Sequence, residues 1–357
     1  MGWAVKMIND FMVQVGMMAP IIQAPMAGGV TTVELISAVS GNGGLGSLGA
    51  AYLTPEVIRV TAQAIRARTD RPFAINLFVG GEEREPTNAE IDFTSDILEP
   101  WTQAYGIEAP GAPGPGIALD RQLEVMLDVA PRVFSFTFGM ASPELLQACR
   151  SRGILTMGTA TTVEEVKALT EAGVDSVCVQ GMEAGGHRGT FLRPFDESMI
   201  GVMALTSMAV QATHLPVVAA GGLMTGGAIR AVLDLGASAA SMGTAFLLCE
   251  EAGTSMAHRY MLALEQPRPT VITRAFSGRP ARGIINRFHE QISAVQDRCA
   301  PFPALNDMTR DIRRAAANAG DPEALSLWAG QAYPLVRDMP AASLMAVLLD
   351  EAKWFGA

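Results

Sequence analysis

The sequence predicts an α/β chain folded as a (β/α)8 barrel, with a long insertion after the third strand and a helical C-terminal extension. Three observations predict it. Eight short runs are apolar nearly throughout, as parallel strands covered on both faces must be. Helix-like stretches with recognisable start signals separate these runs. Glycine-rich turns follow several of them, at the strand ends where such barrels place their functional groups. A doubly wound open sheet is the alternative, because strand order cannot be read from a sequence.

The runs are Ile21–Gln23, Leu45–Ser47, Phe73–Asn76, Val133–Phe136, Ile154–Met157, Ser176–Val179, Val217–Ala219 and Ala239–Met242. Between them, Thr31-Thr32-Val33-Glu34 and Thr162-Val163-Glu164-Glu165 carry capping-box spacing. Thr54-Pro55 and Ser142-Pro143 each set a cap residue before a proline suited to the first helical position. Gly173 and Gly236 stop helices ahead of the sixth and eighth strands.

Two regions break the rhythm. Residues from about 79 to 120 form a connection rich in Pro, Gly and acidic side chains, including the Pro-Gly run 109–116. Insertions of this length after a barrel strand are expected to wall or cover the active-site face. After about Leu248 the alternation stops, so residues 251–357 are predicted as a mostly helical extension packed on the barrel. The Met-rich opening, residues 1–19, is expected to be a leader, in part poorly ordered, ahead of a barrel spanning 20–250.

Composition narrows the function. With 357 residues, 49% apolar and 17% charged, the chain can bury a large core. A net charge of −10, with no Lys/Arg cluster, excludes nucleic acid as a partner. Cys149, Cys178, Cys249 and Cys299 have no paired spacing, which fits a reducing compartment and predicts a cytoplasmic protein. No apolar run approaches a membrane span. No two histidines share ligand spacing, so no metal is expected. Whether copies of the chain associate stays open.

The strand ends supply the chemistry. The first ends in Gln23-Ala24-Pro25-Met26-Ala27-Gly28-Gly29, small residues and a fixed proline that let backbone approach a flat ligand. The third offers the amide of Asn76, which can donate and accept. The sixth runs from Gln180 through Gly185 to His187 and Gly189. Gly221-Gly222 after the seventh and Gly243-Thr244 after the eighth form a phosphate cradle of backbone and hydroxyl donors, with no lysine in either turn. A Gly-Gly pair alone would also suit an ordinary tight turn.

His187 is one of four histidines and lies in a glycine-rich loop at a strand end. It can act as a general base or hydrogen-bond an anionic substrate, against the plain reading of a surface loop histidine. Glu183 either orients it or is simply solvated, and the solvated reading is preferred. Arg274, Arg279 and Arg282 in the run Thr273–Gly283 are read as fastening the tail rather than binding an anion. Trp328-Ala329-Gly330-Gln331 fits either a helix end nearing a ligand or ordinary helix packing. His214 is read as structural, and His258 and His289 are assigned nothing.

Taken in order, Ala24-Pro25-Met26-Ala27-Gly28, Asn76-Leu77-Phe78, Gln180-Gly181-Met182-Glu183-Ala184-Gly185-Gly186-His187, Ala219-Ala220-Gly221-Gly222 and Met242-Gly243-Thr244 resemble the nitronate monooxygenase family, formerly called 2-nitropropane dioxygenases. The tail segments Thr273 to Asn286 and Trp328 to Gln331 resemble it too, so the likeness runs from about Pro20 nearly to the end. It implies a TIM-barrel flavoprotein holding FMN without a covalent bond. Met26 and Gly28 would lie beside the isoalloxazine, Asn76 and Gln180 would hydrogen-bond it, and Gly185 would approach the cofactor. Gly221, Gly222, Gly243 and Thr244 would hold the phosphate, and His187 would be the catalytic histidine. The reaction implied is oxidation of an alkyl nitronate, or of a neutral nitroalkane after proton removal, by O2 to a carbonyl compound and nitrite.

One departure stands out. Many members read Phe-His-Phe-Gly at the end of the fourth strand, where this chain has Phe136-Thr137-Phe138-Gly139. Threonine brings no positive charge to an anionic substrate. Two other functions remain in play: an NAD(P)H-dependent FMN reductase of quinones or enoyl thioesters, and a non-catalytic barrel binding a phosphorylated ligand.

Overall fold

A computed structural model describes residues 8–80, 84–114 and 116–354. The chain opens with helix α1 (Asp10–Val15), strand β1 (Ile21–Gln23), α2 (Val33–Gly41), β2 (Gly46–Gly49), α3 (Pro55–Arg68) and β3 (Phe73–Phe78). Helices α4 (Asn88–Ala104) and α5 (Leu119–Val129) precede β4 (Val133–Thr137), α6 (Pro143–Ser151), β5 (Leu155–Ala160), α7 (Val163–Ala172) and β6 (Ser176–Gln180). Then come the two-residue β7 (Gly186–His187), α8 (Val202–Ala212), β8 (Val217–Ala220), α9 (Gly226–Asp234) and β9 (Ala239–Met242). The tail holds α10 (Met256–Leu262), β10 (Thr270–Thr273), β11 (Ala281–Ile284), α11 (Arg287–Ile292), α12 (Ala304–Met308), α13 (Arg310–Ala319) and α14 (Ala341–Glu351).

Eight strands pair in parallel in the order β1-β9-β8-β6-β5-β4-β3-β2. The remaining gap is bridged where Gln23 N–H donates to Leu45 O at 3.0 Å and Leu45 N–H to Ile21 O at 3.0 Å. The sheet is thus a barrel rather than an open doubly wound sheet, and each of the eight apolar runs supplies one of its strands. Ile21, Ile22, Ile75, Phe134, Val177 and Val218 are wholly buried, the outcome demanded of strands covered on both faces.

Local signals act largely as written. Thr54, Ser142 and Thr162 cap α3, α6 and α7, and Gly173 takes a left-handed φ of 84° at the end of α7. The capping box read at Thr31 is displaced by one residue. Thr32 accepts from Leu35 N–H at 3.0 Å, while Thr31 donates to Met26 O and accepts from Gly49 N–H, joining β1 to β2. The Glu165 carboxylate does not reach back to its cap either. It is buried and accepts from Thr161 N–H and hydroxyl, Thr190 hydroxyl, and the N–H groups of Phe191 and Leu192. It thereby ties the segment after β7 to α7.

The insertion carries the 17-residue helix α4, and its Trp101 packs on Phe288 of α11 with centroids 5.0 Å apart. Its Pro-Gly run touches the tail where Gly114 N–H donates to Asp307 Oδ2 at 3.3 Å. The tail is mostly helical and also contains a small antiparallel sheet, β10-β11-β7. Its register sets Ala281 opposite His187 and Arg282 opposite Gly186. A strand about a hundred residues downstream therefore clamps the glycine loop after β6. Phe11, Met12 and Val15 of α1 are buried against the barrel, inside the stretch expected as a leader; residues 1–7 of that stretch lie outside the described residues.

Candidate active site

The site is assembled at the carboxyl ends of the barrel strands, where β6 runs out into Gly181–Gly189. Gln180 turns its amide onto its own loop: Nε2 donates to His187 O at 3.0 Å and Oε1 accepts from Gly189 N–H at 2.8 Å. Behind it, the buried Arg188 guanidinium donates to the carbonyls of Gly181 (2.7 Å), Gln180 (3.2 Å) and Ser198 (3.0 Å). Burial pushes Arg188 down to about 10, so it stays cationic at neutral pH. Neither contact depends on a ligand, so the histidine loop is held in place by the protein.

His187 is partly exposed, and its Nε2 lies 2.9 Å from Ser277 Oγ. Phe138, Phe302 and Trp328 surround the ring, with centroids 6.0, 5.8 and 5.6 Å from it. Desolvation among these rings, with the positive charges of Arg279 and Arg313, pushes its pKa down to about 3. His187 is therefore neutral across the physiological range.

Phe138 sits in the left-handed region at φ 76°, a strained conformation for a bulky residue, directly after β4. Its ring faces the Arg279 guanidinium at 4.0 Å and tilts against Phe78 at 4.5 Å. Arg279 also donates to Thr190 O at 2.6 Å, so it fastens the tail and brings its charge to bear on His187 at once. Arg282 acts purely as a fastener, on Met182 O at 3.1 Å and Thr270 Oγ1 at 3.2 Å. Arg274 stays half-exposed and faces Asp297 at 3.6 Å.

Sequence reasoning missed Arg313 altogether, because it lies on α13, far from any strand end. Its Nε donates to Thr309 Oγ1 at 3.2 Å and Nη2 to Asn306 O and Oδ1 at 2.7 and 2.9 Å. Asp307, whose charge acts on it, is paired with Arg310 instead. Arg313 thus faces the site as a cation without an ion-pair partner among the described residues, and burial pushes it down to about 10. Ser277 was missed as well, because the run Thr273–Gly283 around it was read for its arginines alone.

Glu183 neither orients His187 nor floats in solvent. Both its oxygens accept from Val202 N–H, at 3.0 and 2.9 Å, where a carboxylate satisfies the first amide of α8. Thr137 faces Thr159 across the strands, hydroxyl to hydroxyl at 3.4 Å, and carries no charge. Asn76 donates to Ser135 Oγ at 3.0 Å. His214 is exposed before β8, on the opposite barrel face.

On the other side lies the glycine pair after β8. Gly221 and Gly222 take φ of 117° and 67°, conformations that side chains resist, and a Cβ on Gly222 would press Glu183 Cβ at 3.0 Å. After β9, a Cβ on Gly243 would touch the Met26 sulfur at 3.6 Å, so the ends of β1 and β9 meet there. The Thr244 hydroxyl accepts from Gly330 N–H at 3.0 Å, and its own proton has no acceptor among the described residues. Trp328 and Gly330 belong to an extended segment rather than a helix. That segment crosses Gly185 so closely that a Cβ there would lie 2.5 Å from the Ala329 carbonyl carbon. Among the described residues no cluster could hold a metal, and no helix is long and apolar enough to cross a membrane.

The structure thus brings His187, Gln180, Gly185, Gly221, Gly222, Gly243, Thr244, Met26, Gly28 and Asn76 to the carboxyl-end face of one barrel. The nitronate monooxygenase family profile matches residues 9–351. The chain belongs to the nitronate monooxygenase family. It is 37% identical over 337 residues to a probable nitronate monooxygenase of Staphylococcus aureus strain Newman, covering 93% of this chain and 94% of that protein. A nitroalkane oxidase from Streptomyces ansochromogenes is 39% identical with a TM-score of 0.90, over 96% of this chain and 98% of its own. FabK from Thermotoga maritima shares the fold at 24% identity, with a TM-score of 0.74 over 96% and 95% of the two chains. As a nitronate monooxygenase family member the chain is an oxidoreductase on a TIM barrel.

Proposed function

We propose that this protein catalyses FMN-dependent oxidation of alkyl nitronates, and of nitroalkanes after proton removal, by O2 to carbonyl compounds and nitrite. The observation that carries the reading is His187: a neutral imidazole at the strand ends whose flanking charges, Arg279 and Arg313, are both positive. A neutral base beside cations suits a neutral acid that becomes an anion. Such a wall also supplies attraction for a nitronate where Thr137 cannot.

The residues fit a flavin mononucleotide. Thr244 keeps a hydroxyl proton to donate, and Gly221, Gly222 and Gly243 would offer backbone N–H groups to a phosphate. Met26, Gly28 and Gly185 would border the ring system, and Asn76 and Gln180 retain hydrogen-bonding capacity toward it. When bound, FMN supplies a one- or two-electron acceptor that O2 can reoxidise. This chain's own residues do the rest. Arg279 and Arg313 hold the anion, and His187 takes the proton from the α-carbon of a neutral substrate. Phe138, Phe302 and Trp328 exclude water from that transfer.

The test is the absorption spectrum of the purified protein, followed by aerobic addition of propionate 3-nitronate with nitrite as readout. A yellow protein forming nitrite catalytically is expected. A yellow protein inert to nitronate but bleached anaerobically by NADH or NADPH would replace this reading with a reductase. A protein that stays colourless after FMN is supplied would overturn it.

A further inference from the structure

We propose that Ser277 is a positioning residue that locks His187 as its Nε2–H tautomer, making Nδ1 the atom that accepts the substrate proton. This deepens the function proposed above and rests on it.

A serine hydroxyl has one proton and two lone pairs. The Ser277 hydroxyl donates to Arg279 O at 3.1 Å, and Arg279 N–H donates back to Ser277 Oγ at 3.3 Å. Ser277 is almost wholly buried, so turning its proton toward His187 would break the bond to the Arg279 carbonyl inside a closed turn. What Ser277 offers His187 at 2.9 Å is therefore its second lone pair. An acceptor facing Nε2 selects the protonated Nε2 and leaves the lone pair of the ring on Nδ1.

Nδ1 makes no hydrogen bond to the described residues, and the residue keeps partial exposure. The charged groups facing it are Arg279, from the turn between β10 and β11, and Arg313, from α13. Both favour the neutral ring, and no carboxylate forms an ion pair with it among the described residues. Register fixes the geometry further, because Ala281 pairs with His187 four residues after Ser277. In the step itself the α-carbon C–H bond breaks and its electron pair stays on the nitronate. The proton bonds to Nδ1, giving an imidazolium whose Nε2–H remains on Ser277.

The test uses purified protein, as isolated with its flavin, carrying 15N-labelled histidine. Long-range 1H–15N correlation spectra separate the two neutral tautomers. With four histidines in the chain, His187→Asn assigns the resonance. The expected pattern is the Nε2–H form, shifting toward a tautomer mixture in Ser277→Ala and returning in Ser277→Thr. An Nδ1–H pattern in the unaltered protein, or no change in Ser277→Ala, would overturn the proposal. Should Ser277→Ala fail to fold, the unaltered and Ser277→Thr spectra still decide. Kinetically, Ser277→Ala should lower turnover of nitroethane more than that of its preformed nitronate, by roughly tenfold, since only the former needs the base. Equal losses would count against Ser277 acting through Nδ1. Absence of nitrite from both substrates would overturn the proposed function, whereas the spectra report the tautomer independently.

Discussion

Ser277 Oγ lies 2.9 Å from His187 Nε2 although 90 residues separate them in sequence, and this contact joins the tail to the loop after β6. The tail sheet brings the serine there. Because β11 pairs with β7, the C-terminal extension is part of the framework of the candidate site, and changes to either should be felt by the other.

His187→Asn should retain FMN and lower turnover of neutral nitroalkanes by about 10²–10⁴, the usual worth of a general base. Steady-state kinetics with flavin occupancy measured in parallel checks this. Unchanged turnover would remove the base role.

The acid limb of kcat/KM for a neutral nitroalkane should lie well below the ordinary imidazole value of 6.5, tending toward about 3. The stability follows the same window. As pH falls below 6.5 the unfolded chain's imidazole takes up a proton that the folded one resists until about 3, so stability falls with decreasing pH there. His187→Asn should flatten that slope, with His258, pushed down to about 4, giving a residual one. Urea unfolding of both proteins at several pH values is the measurement, and parallel slopes would contradict it.

Arg313→Met should raise the His187 pKa by removing a like charge, and raise KM for an anionic nitronate by about tenfold. Arg313→Lys should recover most of both. A KM rise shared equally by neutral nitroalkanes would mean that the guanidinium shapes the cleft rather than attracting the anion.

Gly222→Asp should weaken FMN binding, by forcing a side chain into a left-handed position and a carboxylate toward the phosphate. Fluorescence titration with FMN reads this directly. Full flavin occupancy in the variant would move the phosphate site elsewhere.

Glu165→Ala should destabilise the fold by about 3–5 kcal/mol, since a buried carboxylate accepting from five donors leaves them all uncompensated. A loss below about 1 kcal/mol in urea unfolding would show that water replaces the carboxylate.

The sequence by itself determined the eight buried strands, because period and burial are local properties: a strand covered on both faces must be apolar nearly throughout, as Phe73–Phe78 and Val217–Ala220 are; their closure into a barrel rather than an open sheet was decided by pairings between strands distant in sequence. Strand ends then followed, and with them His187, Gln180 and the glycines at 221, 222 and 243. Roles set by long-range contact were decided only by the tertiary structure. Glu183 was four residues from His187 yet caps α8, since the glycine loop between them turns the two side chains apart. Trp328 to Gln331 looked like helix and is extended, because pairing with β11 at Gly283 outweighs local propensity. Arg279 was read as fastening the tail, while Ser277 beside it and Arg313 on α13 were given no role. Their charge and hydrogen bonds matter only because the tail folds back over the barrel mouth, and that arrangement rests on contacts between residues about a hundred positions apart, which no local pattern encodes.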